Sequence, residues 1–126
     1  MAVVEGRSME PQLPEGAWVL VGPAAPGGLR LGQVVVVEHP QRPGFELIKR
    51  VSAISRERQL IWVAGDNQVA STDSEDFGPV PLPLVRGVVR VLVKPFPSRW
   101  LRPDPSRLGR DHPIASVTGA DRELAP

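Results

Sequence analysis

The sequence predicts an all-β domain built from short, mostly antiparallel strands. Two observations carry this. The 12 Gly and 15 Pro of this 126-residue chain cut it into pieces too short for long helices. The pieces between them are rich in Val, with Ile and Leu, which suits a half-buried pleated surface. Strands of this length and spacing favour a barrel or a sandwich over a βαβ arrangement.

The first strand is expected at 18–21, a Trp-Val-Leu-Val run closed by the Gly- and Pro-rich turn 22–28. A second follows at 33–38, ended by the turn 39–44. The third and fourth, 45–55 and 59–64, read as a hairpin around the charged tip Arg56-Glu57-Arg58. Turn-rich stretches at 65–76 and 78–83 lead to a fifth strand, 84–93. After Lys94 the prolines at 95, 97, 103, 105, 113 and 126 erase the strand pattern. Residues 1–94 are therefore read as the folded domain and 95–126 as a Pro- and Arg-rich tail. Within 94–110, Lys94, Arg99, Arg102, Arg107 and Arg110 face one acid, Asp104. A solvated tail lying across the domain is the plainer reading. Contact with an anionic surface, anchored by Trp100 and Leu101, is the functional one.

Composition removes several function classes. A net charge of +1 gives no bulk electrostatic case for nucleic acid or membrane binding. With no cysteine there is no disulfide, no thiol catalysis and no cysteine-ligated zinc. His39 and His112 are the only histidines and stand far apart, so a histidine triad or a multi-histidine metal site is not expected. The acidic run 73–76 lacks the glycine and spacing of a calcium loop. No apolar run approaches the ~18 residues of a spanning helix, and no signal peptide opens the chain.

Chemistry concentrates in four stretches. They are Val4-Glu5-Gly6-Arg7-Ser8-Met9-Glu10-Pro11-Gln12-Leu13, Gly32-Gln33-Val34-Val35-Val36, Ile48-Lys49-Arg50-Val51, and Gly65-Asp66-Asn67 with Ser71 and Asp73 beyond it. A serine hydroxyl becomes a useful nucleophile once a neighbouring base takes its proton. Without a suitable histidine, lysine is the candidate base, but a solvated lysine is charged below about 10.4. Strand alternation places Leu47, Lys49 and Val51 on one face and Glu46, Ile48 and Arg50 on the other. Bringing an amine from about 10.4 to about 7.4 is worth about 4 kcal/mol, within reach of burial on an apolar face. Taken alone, Lys49 equally suits a strand-edge lysine whose stem covers Leu47 and Val51. Taken alone, Ser8 is an ordinary turn serine beside Gly6, and Asp66 and Asn67 read as turn residues.

Together, and in this order, the four stretches resemble the Ser–Lys peptidases of the type I signal peptidase family. The resemblance runs from about Val4 to Val93 and extends to a branch that matures nickel-type superoxide dismutase. It implies an all-β fold of the barrel-like signal peptidase and LexA type, with 1–94 as the catalytic domain. It implies Ser8 as nucleophile, Lys49 as general base and the Ser8 N–H as oxyanion donor. Ser71 would orient the lysine amine and Asp73 would stabilise that loop. Met9 and Pro11 are expected at the substrate, and Gly6 stands where some members place a second oxyanion donor. The substrate would be a precursor protein bound as an extended strand, with small side chains before the cut. No cofactor, metal or nucleic acid is implied.

Several positions depart from the family pattern. Gln12 replaces a usual threonine, Ala17 and Gln33 replace usual aspartates, and Glu75 replaces an arginine that would pair with Asp73. With seven residues before Ser8 and no anchor, a cytoplasmic location is expected. If an anchor precedes this chain, the extracytoplasmic face of a membrane is expected instead.

Overall fold

A computed structural model describes residues 1–25, 27–67 and 74–105, and the backbone of 123–124. Its strands are β1 (Ala2–Val3), β2 (Trp18–Gly22), β3 (Val34–Glu38), β4 (Glu46–Ser55), β5 (Leu60–Ala64), β6 (Val80–Pro81), β7 (Val85–Lys94), β8 (Arg99–Trp100) and β9 (Glu123–Leu124). One short helix, α1 (Ser74–Phe77), precedes β6. The five strands expected from the Val-rich runs all form, each within a residue or so of its expected bounds. The two-residue strands are additions that the sequence pattern does not announce.

All nine strands belong to one sheet with the path β1-β2-β7-β3-β4-β5-β6; β8 pairs β7, and β9 pairs β4. Every pairing is antiparallel except that of β9 with β4. The expected barrel-like closure is corrected here. The ends of the path, β1 and β6, do not pair with each other among the described residues. Each is two residues long, too short to supply a ladder that would seal a barrel.

The curled sheet buries two apolar clusters. The first gathers Leu29, Val35, Val37, Val51, Ile54, Ile61, Val63, Phe77, Val80 and Val88. The second gathers Val4, Met9, Leu13, Ala17, Val19, Val34, Val36, Val89 and Leu92. β3 reads Val-Val-Val-Val because it feeds both: Val35 and Val37 enter one cluster, Val34 and Val36 the other. The α1 residue Ser74 is fully buried, and its hydroxyl accepts the Val63 amide at 2.9 Å, tying the helix to β5.

The chain past Lys94 stays on the domain for another stretch. β8 pairs with β7, Leu101 packs partly buried against the second cluster, and the Asp104 N–H donates to Gly32 O at 3.0 Å. Gly32 has φ +84°, and a Cβ there would lie 2.6 Å from the Asp104 and Pro105 backbone nitrogens. Only glycine meets both demands. Of the pair expected as an interfacial anchor, Trp100 is 72% exposed, whereas Leu101 turns inward. Leu101, the residue after β8, donates its N–H to Arg90 O at 2.8 Å as it turns toward the core.

Candidate active site

Ser8 sits in a loop whose two ends are fixed by the sheet. The Val4 N–H donates to Ala17 O at 2.8 Å and the Gly16 N–H to Val4 O at 2.7 Å, continuing the β1–β2 ladder past Val3. Between these points residues 5–15 make an excursion. Met9 and Leu13, 1% and 0% exposed, plug it into the second cluster. The Leu13 N–H donates to Met9 O at 2.8 Å, closing a tight turn between the two plugs. Ser8, next to the Met9 plug, is thereby held half-buried at the rim of the core. Gly6 has φ +78°, and its N–H donates to the Glu15 carboxylate at 3.2 Å across the loop.

Lys49 comes from the middle of β4, opposite Val35 on β3, and is 2% exposed. Leu47 and Val51, two residues to either side, pack in or against the first cluster, as strand alternation requires. Ile48 packs against the second cluster on the other face. β5 begins its pairing with β4 at Ala64 opposite Arg50. Residues 46–49 precede that pairing. The loop carrying Ser8 is drawn toward this end of β4.

Arg50 and the turn after β5 do the drawing. Arg50 donates from Nε to Asp66 Oδ1 at 2.8 Å and from Nη2 to Asp66 Oδ2 at 2.9 Å, a bidentate pair. Both side chains are 2% exposed. Arg50 Nη1 also donates to Gly32 O at 2.7 Å. The next residue, Asn67, donates its backbone N–H to Ser8 O at 2.7 Å and its Nδ2 to Arg7 O at 3.1 Å. An unbroken path thus runs from β4 through Arg50, Asp66 and Asn67 to the backbone of Ser8. The simple turn role expected for Asp66 and Asn67 is corrected by these bonds. Their partners lie 16 and about 60 residues away in sequence, so local turn chemistry does not reveal them.

Ser8 and Lys49 line one cleft of about 260 Å³, together with Val4, Met9, Phe45 and Ile48 among others. Met9, expected at the substrate, lines the cleft although most of it is buried. Pro11 does not line it. The turn between the Met9 and Leu13 plugs carries Pro11 to a separate groove with Pro14, Leu92 and Pro97. Gly6 is not among the cleft residues, and its N–H is engaged by Glu15. Ser71 and Asp73 lie outside the described residues. No group of three or more His, Cys, Asp or Glu among the described residues has a metal-holding arrangement.

Comparison with known proteins bears on what this cleft belongs to. Residues 1–58 match the family described as "Signal peptidase, peptidase S26". "Mitochondrial inner membrane protease subunit 2" of Danio rerio is 35% identical to 84% of this chain, which covers 69% of that protein. The chain belongs to the signal peptidase family. Its Saccharomyces cerevisiae relative, also named "Mitochondrial inner membrane protease subunit 2", is 33% identical over 79% of the chain and 70% of the relative. An Arabidopsis thaliana member, "Mitochondrial ATP-independent inner membrane protease subunit 1a", is 31% identical over 59% of this chain. This chain spans about 55% of the length of that plant protein. The family match over 1–58 includes both Ser8 and Lys49. No helix among the described residues is long and apolar enough to cross a membrane.

Proposed function

We propose that this chain is a serine endopeptidase that removes a leader or pro-segment from a precursor protein, with Ser8 as nucleophile and Lys49 as general base. The observation that carries the reading is the common cleft lined by Ser8 and the 2% exposed Lys49. Burial disfavours an ammonium group, so the position of Lys49 works toward the neutral amine that a base must be. Catalytic hydrogen bonds are commonly long in an empty site and tighten when substrate binds. The family relationship and the relatives' names as proteases support the same activity.

The reaction follows from these positions. A substrate strand enters the cleft alongside residues 45–49 and lays its scissile carbonyl over Ser8. The Lys49 amine takes the Ser8 proton as Oγ bonds to the carbonyl carbon. The developing oxyanion is stabilised by the Ser8 backbone N–H. The C–N bond breaks, the leaving amine takes the proton from Lys49, and the acyl group remains as an ester on Ser8. Water then gives a proton to Lys49 and attacks the ester, and Lys49 returns that proton to the departing Ser8 Oγ as the acid is released. The family's preference for small residues before the cut is extended to this substrate. Arg50, Asp66 and Asn67 act as positioning residues for the Ser8 loop.

An activated thioester of a peptide ending in Ala-x-Ala tests the assignment. Intact-mass measurement is expected to show an acyl adduct that maps to Ser8 and is absent from Ser8→Ala. Binding of the peptide without an adduct would instead make this a peptide-binding domain that has lost turnover.

A further inference from the structure

The cleft changes character along its length. Its apolar lining includes Val4, Met9, Val36 and Ile48, with Val36 on β3 directly opposite Ile48 on β4. Two residues farther from Lys49, Glu46 stands opposite Glu38. Directly opposed residues of antiparallel strands share a face, and so do residues two apart on one strand. The face that is apolar at Val36 and Ile48 is therefore acidic one step on. Glu46 lines the cleft and is exposed, and Glu5 does the same on the wall formed by residues 2–5.

Charge there is unbalanced. Among the described residues the lining holds two carboxylates, Glu5 and Glu46, and one cation, Lys49, which the proposed reaction uses as a neutral amine. The chain as a whole carries +1, so the cleft reverses the sign of its surroundings. Cations close by in sequence or register are already engaged. Arg7 pairs with Glu10 at 3.0 Å, Arg86 pairs with Glu38 at 3.0 Å, and Arg42 stacks 4.0 Å from the centre of the Phe45 ring. Neither Glu5 nor Glu46 has a side-chain hydrogen bond to an amine or guanidinium among the described residues, and neither is in an ion pair there.

We propose that Glu46 makes the cleft select precursors that carry a lysine or arginine five positions before the cut. The proposal rests on the peptidase reading and deepens it by naming a substrate class. An extended substrate rises roughly 3.3 Å per residue and alternates its side chains, so those one, three and five positions before the cut share a face. The first lies at Ser8 and Met9, and the third seats on the Val36 and Ile48 pair, which suits a small apolar group. The fifth, roughly 7 Å farther along, meets Glu46. Glu5 adds to the negative field from the other wall. A rim carboxylate of this kind gives selectivity and faster encounter more than tight binding, and it repels an acidic side chain at the same position.

The test compares three peptides, Lys-x-Ala-x-Ala, Gln-x-Ala-x-Ala and Glu-x-Ala-x-Ala, each continued past the final alanine, where the cut falls. At low salt the wild type should favour Lys over Gln by about threefold and Lys over Glu by about tenfold in kcat/KM, with the difference carried by KM. The preference should fade at about 1 M salt. Glu46→Gln should remove most of it, and Glu46→Lys should invert the order, a result that a merely structural role for Glu46 would not give. Binding of the same labelled peptides to the Ser8→Ala protein, read by fluorescence anisotropy, should show the same order. If that order appears in binding while no peptide is cleaved, the catalytic reading fails and the charge selection stands. Equal binding of the three peptides, no binding of any, or an order unchanged in Glu46→Lys would overturn the proposal.

Discussion

Removing Asp66 should both unfold part of the domain and disarm the cleft, and the two effects can be separated. In Asp66→Ala the Arg50 guanidinium, 2% exposed, would keep Gly32 O at 2.7 Å and lose both carboxylate bonds. Breaking a buried pair by deleting one partner costs about 3–5 kcal/mol, because the remaining charge stays buried without compensation. Against a typical total of about 5–15 kcal/mol, that is a large share of the stability. In urea unfolding with a slope of about 1.5 kcal/mol/M, the midpoint should fall by about 2 M or more. Replacing both partners by apolar residues, Arg50→Met with Asp66→Leu, should restore much of that loss, since no charge is then left buried. Cleavage should not return with it, because the path from β4 to Ser8 through Asp66 and Asn67 would lack its first link. A single variant losing less than about 1 kcal/mol would refute the argument from burial. A double variant that regains full cleavage would refute the positioning role.

Three further outcomes follow from the same geometry. Gly32→Ala should destabilise by about 2 kcal/mol or more in the same urea assay, because φ +84° and the Asp104 and Pro105 backbone both oppose a Cβ. Met9→Ala should cost about 2–5 kcal/mol, since Met9 is a 1% exposed plug of the second cluster, and should weaken cleavage by loosening the Ser8 loop. Cleavage should rise as pH rises, because the neutral form of the base is the active one and gains population with pH; a flat profile would speak against a lysine base.

The long strands were legible because their signal is local. Four consecutive valines at 34–37 and the run from Glu46 to Ser55 are strands in any setting that buries both faces. Alternation also placed Lys49 with Leu47 and Val51 correctly, since period two needs no knowledge of the partner strand. The two-residue strands β1, β6, β8 and β9 carry no such period. They exist because a longer strand offers them an edge, which is a tertiary fact. Barrel closure was expected for the same reason that it fails: strand counts are readable, while the length of the terminal ladders is not.

The site divides in the same way. The order of four short motifs identified the family and singled out Ser8 and Lys49, and folding brings both to one cleft. What joins them was hidden. Alternation puts Arg50 on the face opposite Lys49, but does not show that it is buried there and answers Asp66 after the next strand. An arginine in the middle of an otherwise apolar strand, next to Val51 and two residues after Ile48, with an acid just past the following strand, is the signal that would have found this pair. Pro11, expected at the substrate from the family resemblance, lines a groove with Pro14, Leu92 and Pro97, because the turn between Met9 and Leu13 sets its direction and sequence distance from Ser8 does not.

The central claim is that Ser8 and Lys49 act as one catalytic unit. The most direct test is the rate of cleavage of an Ala-x-Ala peptide by the wild type, Ser8→Ala, Lys49→Ala and the double variant. The account predicts that each single variant loses at least about 10³-fold in kcat/KM and that the double loses no more than either single. Equal cleavage by all four proteins, or losses that multiply in the double variant, would contradict it.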